Sequence, residues 1–165
     1  DDMLTPDQYD LSGSATGWGI NLSSNLKFGK ADVLRLQLVY GEGIQNYMND
    51  APVDIGIAST STSFEGVALP MWSVVAFWDH TWSDKWSTTV GYSQTDIDNT
   101  EGQSPDAYKK GQYALFNLLY TPVPNVMMGG EFQWGQRANF SDGFKSNGYK
   151  FQFSFKYNFS HRLGG

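Results

Sequence analysis

Six charged side chains define the chemistry open to this sequence: Lys27, Arg35, Glu131, Arg137, Lys150 and Lys156. Each stands at a polar position in a run where polar and apolar residues alternate. Five are cations, Glu131 is the clear carboxylate among them, and Asp79 is a candidate second acid. Most other acids fall in predicted loops or turns, among them Asp1, Asp2, Asp7, Asp10, Asp50, Asp54, Glu65, Asp98, Glu101, Asp106 and Asp142. The net charge is −6, yet the charged wall implied by the alternating runs is basic. A wall of one sign concentrates counter-ions, and charged rings on a pore wall decide which ions pass. That chemistry is selection of anions by a fixed field. The plain alternative is that these cations are solvated, or that Arg35 or Arg137 pairs with Glu131. Arg137 also reads as a loop residue near a strand end.

Covalent chemistry has little support. His80 and His161 are the two histidines and there are no cysteines, so neither a thiolate metal site nor a disulfide framework can be drawn. A hydrolytic Ser–His pair needs a third residue to orient the imidazole. His80 has Ser73 and Ser87 as sequence candidates and fits better as an interfacial residue beside Trp82. The chain has no G-x-S-x-G, P-loop or zinc spacing. DIDNTEG (96–102) lacks the spacing of a calcium loop and its distal Glu. We therefore expect no enzyme, cofactor or metal. The acidic balance argues against nucleic acid, which needs a basic surface.

The elements that must carry the charges are strands. YKFQFSFKYNF (149–159) has an aromatic ring at every odd position, from Tyr149 to Phe159, and a polar residue at every even one. Side chains on a strand alternate between two faces, so one face is aromatic and the other carries Lys150 and Lys156. At helical spacing no stripe would form. About 9–11 residues cross a bilayer as a tilted strand. Lipid on one side and water on the other is the setting of a transmembrane β-barrel. No run of 18 apolar residues suggests a membrane helix, and alternation masks barrel strands in mean hydropathy.

The same alternation predicts strands over about 15–28, 34–41, 69–82, 86–93, 112–121 and 126–137. Short turns follow Phe28, Trp82 and Tyr120. Long loops are predicted over about 43–68, 96–110 and 138–148, with a tail at 160–165. Strict alternation of short and long connections is the habit of outer-membrane barrels. Trp18, Tyr40, Trp82, Trp86, Tyr120, Trp134, Tyr149, Tyr157 and Phe159 form the expected lipid-facing girdle. About seven strands leave an edge that lipid does not tolerate. The chain, residues 1–165, is therefore expected to be the C-terminal part of a larger barrel. A weak strand in 1–14 or 55–68 would instead close a barrel of eight, small, structural or adhesive, without an open pore. A soluble β-sandwich or lipocalin-like binder would use the aromatic faces as its core. The acidic loops either bridge divalent cations to lipopolysaccharide or are simply solvated.

Segments 17–54, 68–99, 111–135 and 149–159 resemble the C-terminal half of DcaP-like trimeric porins of Gram-negative bacteria. The resemblance implies a 16-stranded antiparallel barrel in the outer membrane, a homotrimer, and passive uptake of small organic anions such as dicarboxylates. It also implies an N-terminal barrel half as partner, and a final aromatic strand read by the barrel-insertion machinery. The family's periplasmic helical segment is not matched here, and residues after Phe159 extend past the usual terminal aromatic.

Overall fold

The computed structural model of the chain describes residues 14–48, 51–59 and 64–159. Seven strands form one antiparallel sheet in the order β1-β2-β5-β6-β7-β8-β9. They are β1 (Trp18–Phe28), β2 (Asp32–Glu42), β5 (Pro70–Ser83), β6 (Trp86–Ile97), β7 (Tyr108–Val123), β8 (Val126–Asn139) and β9 (Lys145–Tyr157). β3 (Ile55–Ser59) and β4 (Phe64–Ala68) pair with each other in a separate two-stranded sheet. The connections joining β1 to β2, β5 to β6 and β7 to β8 are the short ones. Gly29 (φ 65) and Asn125 (φ 69) supply the positive φ that such tight turns demand.

The register shows why these residues make a two-faced sheet. Ile20 pairs with Tyr40, Leu22 with Leu38 and Leu26 with Leu34. Leu34 pairs in turn with Trp78 and Leu38 with Val74. Further along, Phe116 meets Phe132, and Phe132 meets Phe151. One face is thus apolar from edge to edge. It is also exposed: Leu22 is 62% accessible, Phe151 73% and Phe153 69%. Aromatic residues border this face at two levels. Trp18 packs edge-on to Tyr40 near the long loops, with ring centroids 5.8 Å apart, and Trp86 stacks on Tyr120 near the short turns at 4.4 Å. Above the first band, Gln112 donates to Gln94 at 3.1 Å and Gln136 to Asn147 at 2.9 Å. These amides end the apolar face on the long-loop side.

Several boundaries differ from expectation. Residues 43–68 are not plain loop: they hold a 3-10 turn (Gln45–Tyr47) and the β3–β4 hairpin. That hairpin is separate from the main sheet, so 55–68 adds no eighth strand to it. β6 continues to Ile97 and β7 starts at Tyr108, which shortens the connection expected over 96–110. The one expected over 138–148 shrinks to the five residues between Asn139 and Lys145. β1 starts at Trp18 rather than near residue 15. Residues 1–13, the tail 160–165 and His161 lie outside the described residues.

A charge placed on the apolar face should be costly. We expect Phe153→Lys to destabilise the protein folded in lipid vesicles by about 2–4 kcal/mol, and Gln152→Lys, one residue away on the other face, to change little. Denaturant titration of the two variants checks this; equal stability would mean both faces meet water.

Candidate functional site

The opposite face is polar, and bonds from side chains run across it over five strands, β2 and β5 to β8. Lys27, Val33, Asp79, Thr89, Asn117, Glu131 and Gln152 follow one another along the register. Asp79 holds the centre of the left-hand part. Its Oδ2 accepts from Arg35 Nε at 2.7 Å, and its Oδ1 accepts from Thr89 Oγ1 at 2.8 Å. The Thr89 backbone N–H donates to Asn117 Oδ1 at 2.9 Å, and Asn117 Nδ2 donates to Glu131 Oε2 at 3.4 Å. Gln133 Nε2 donates to Glu131 Oε1. The partner of Arg35 is therefore Asp79, not Glu131. Arg35 is 59% exposed, so its charge is offset by a neighbour while staying in contact with solvent.

The other predicted cations differ from Arg35. Lys27, Lys150 and Lys156 stand exposed on the same face, and none has an acid within 4 Å among the described residues. Arg137 shares the face at the long-loop end, within β8 rather than in a loop. Its Nε donates to Asn139 Oδ1 and its Nη2 to the Asp106 carbonyl, both at 3.1 Å, and its guanidinium lies 5.8 Å from the Tyr108 ring centroid. These partners are uncharged, so they orient the guanidinium without neutralising it. Nearby, Asn139 and the Phe144 N–H donate to Asp142 and hold its carboxyl below the usual range, with Arg137's field contributing least.

The same end of this face holds the buried apolar cluster of the fold. Val39, Met71 and Ile97 occupy polar-face positions, yet Met71 is 1% and Ile97 0% exposed. What covers them comes from the long β2–β5 connection: Ile44, Met48, Ala51 and Leu69. Ile44 lies over Gly19 and Gly41, where an added Cβ would sit 3.0 Å from its side chain. Backbone bonds from Gly43 N to Leu69 O (3.1 Å) and from Leu69 N to Asp54 O (2.8 Å) fasten the segment. Thr100 Oγ1 ties β3 to the next loop through the Ile57 carbonyl at 2.9 Å. This connection therefore folds inward over the polar face and narrows the space beside the wall at that end.

No protein-family model matches the chain, and no curated protein does. Among solved structures, the outer membrane channel DcaP of Acinetobacter baumannii matches with a TM-score of 0.73 at 24% identity, over 87% of this chain and 41% of that one. The chain shares the fold of an outer-membrane channel. It spans about two fifths of that channel's length. Within the channel fold the apolar face is the outer wall and the polar face the inner one.

The expected girdle residues fall on the outer face or at its margins. Trp18, Tyr40, Trp82, Trp86, Tyr149, Tyr157 and Phe159 are well exposed, and Tyr120 and Trp134 are half-buried. His80 lies beside Trp82 on this face, with centroids 4.2 Å apart, and its Nδ1 is 2.7 Å from Asp32 Oδ1. Trp78 Nε1 donates to the same oxygen at 2.8 Å. Neither Ser73 nor Ser87 shares the face of His80, which is paired across the strands with Asp32 and Thr88. The sequence reading missed Tyr108, because a bulge between Tyr108 and Lys110 turns it to the inner face. The local signal was the polar stretch before β7, which hides the shift of parity.

If Leu69 anchors the inward fold, Leu69→Ala should cost about 2–5 kcal/mol at that anchor. Limited proteolysis should then cut residues 55–68 faster while the main sheet stays protected. Unchanged cutting would mean the segment is held elsewhere.

Proposed function

We infer that the chain is part of an outer-membrane diffusion pore for small anionic solutes. The observation that carries this reading is charge on the inner face. Lys27, Arg35, Arg137, Lys150 and Lys156 stand there against Asp79 and Glu131, and four of the five cations have no acid within 4 Å among the described residues. Beside a low-dielectric wall, such a surplus raises the local concentration of anions. A fixed field selects by partition, so solutes follow their own gradient. Dicarboxylates gain twice from a wall of spaced cations and are the preferred class. The channel fold supports the placement in an outer membrane, with lipid and lipopolysaccharide against the apolar face. The remaining partners follow from the resemblance: a homotrimer, an N-terminal barrel half that completes the cylinder, and an insertion machinery that reads the last strand. No catalytic step belongs to this reading.

The Arg35–Asp79 pair gives a two-sided test on the pore reconstituted in planar bilayers under a salt gradient. Asp79→Asn uncovers Arg35 and should move the reversal potential toward anions. Arg35→Gln uncovers Asp79 and should move it toward cations. Cation selectivity of the unaltered protein would end the reading, and shifts of the same sign in both variants would remove this pair from the conducting wall.

A further inference from the structure

The apolar face ends sooner on β6 to β9 than on the other strands. One row of paired positions reads Leu22, Leu38 and Val74 on β1, β2 and β5, then Gln94, Gln112, Gln136 and Asn147 on β6 to β9. Barrel strands lean by about 35–45°, so a row at right angles to them leaves the hydrocarbon as it crosses the sheet. The four amides therefore stand at headgroup level on the outer face. They are bonded to one another and to the rings beside them. Tyr92 Oη donates to Gln94 Oε1 at 2.9 Å, and Gln112 Nε2 to the same oxygen at 3.1 Å. Gln136 Nε2 donates to Asn147 Oδ1 at 2.9 Å, and Trp134 Nε1 to that oxygen at 3.1 Å.

The next outer-face row toward the long loops brings cations. It reads Asp96, Lys110, Ala138 and Lys145 on the same four strands. Lys110 Nζ lies 3.6 Å from Asp96 Oδ2. Lys145 is exposed and has no acid within 4 Å among the described residues. The two lysines flank Ala138, about 10 Å apart at the backbone. On β1 and β2 the corresponding end of the outer face has Trp18 paired with Glu42, an acid and no cation. On the other side of the amides, toward the short turns, come Tyr92, Trp134 and Tyr149. Beyond these, Phe116, Leu118, Phe132, Phe151 and Phe153 line an apolar groove of about 370 Å³. Lysines suit phosphates. Amides, which both donate and accept, suit the hydroxyls and amide links of an acylated amino sugar, and the groove suits an acyl chain. A phospholipid would use the cations and the groove but leave the four amides without a role. Resting on the outer-membrane placement of the pore reading, we propose that this β6–β9 sector is a binding site for the phosphorylated lipid A of lipopolysaccharide. Its phosphates lie at Lys145 and Lys110, its sugars on the amide row and an acyl chain in the groove.

Native mass spectrometry of the full chain folded in detergent micelles tests this, with diphosphoryl lipid A as the probe. Lipid A should bind saturably, and monophosphoryl lipid A and phosphatidylglycerol each about tenfold more weakly or worse. Lys145→Gln should weaken lipid A by about tenfold, and Lys110→Gln by less, because Asp96 already offsets that charge. Asp96→Asn uncovers Lys110 and should tighten binding. Lys85→Gln, the same change of charge in the turn at the opposite end of the sheet, should leave the affinity as it was. Equal affinities for lipid A and phosphatidylglycerol would overturn the site in favour of general attraction to anionic lipid, and so would equal losses in Lys145→Gln and Lys85→Gln. Anion-selective conductance without lipid A binding would sink this site alone. Lipid A binding without anion-selective conductance would support the site and sink the pore reading alone.

Discussion

In hydrocarbon a strand has no water to satisfy its N–H and C=O groups, so the hydrogen-bond ladder must do it. Everything else in this chain follows from how that ladder fixes register. A slip of one residue would turn every side chain to the wrong face. The register joins Leu34 to Trp78, Phe116 to Phe132 and Phe132 to Phe151 on one side, and Asp79 to Thr89 and Asn117 to Glu131 on the other. Separation of apolar face and charged face is therefore a property of the pairing, not of any one strand.

The same constraint bears on the two outermost strands. β1 and β9 each have one neighbour among the described residues. With seven antiparallel strands, both run in the same direction. A second identical sheet, its long loops on the same side, would meet them in parallel. Antiparallel closure of such a sheet would need an odd number of further strands.

Local alternation made much of this legible. Tyr149 to Phe159, Trp18 to Phe28 and Leu34 to Tyr40 declare both faces, because each of their neighbours is of the opposite kind. β5 does not, and the reason is physical. Met71, Val75 and Phe77 are apolar residues on the polar face: Met71 serves the buried cluster under the inward-folded connection, and Phe77 covers Gly91. Where the inner wall is itself covered by protein, the period-two signal fades. The β3–β4 hairpin was hidden for a related cause, since residues 43–68 show weak periodicity while the hairpin is held by Leu69 against Gly56 and by Thr100, from another loop, on the Ile57 carbonyl. Arg35's partner was hidden too, because ion pairing depends on which strands are neighbours. Parity placed Arg35 and Asp79 on one face, and only the β2–β5 pairing brought them together.

Charge on the inner face is thus not a simple count of lysines and arginines. Arg35 is held by Asp79, which also accepts from Thr89, and Glu131 is occupied by Asn117 and Gln133. Removing either ladder carboxylate would strand its donors, so these acids serve the wall's order as much as its field. The cations outside the ladder have no such duty. Arg137 is oriented by neutral acceptors, with no acid within 4 Å among the described residues. The face therefore divides in two: bonded charges near the middle of the sheet fix side-chain positions, and cations with no acid within 4 Å among the described residues stand around them.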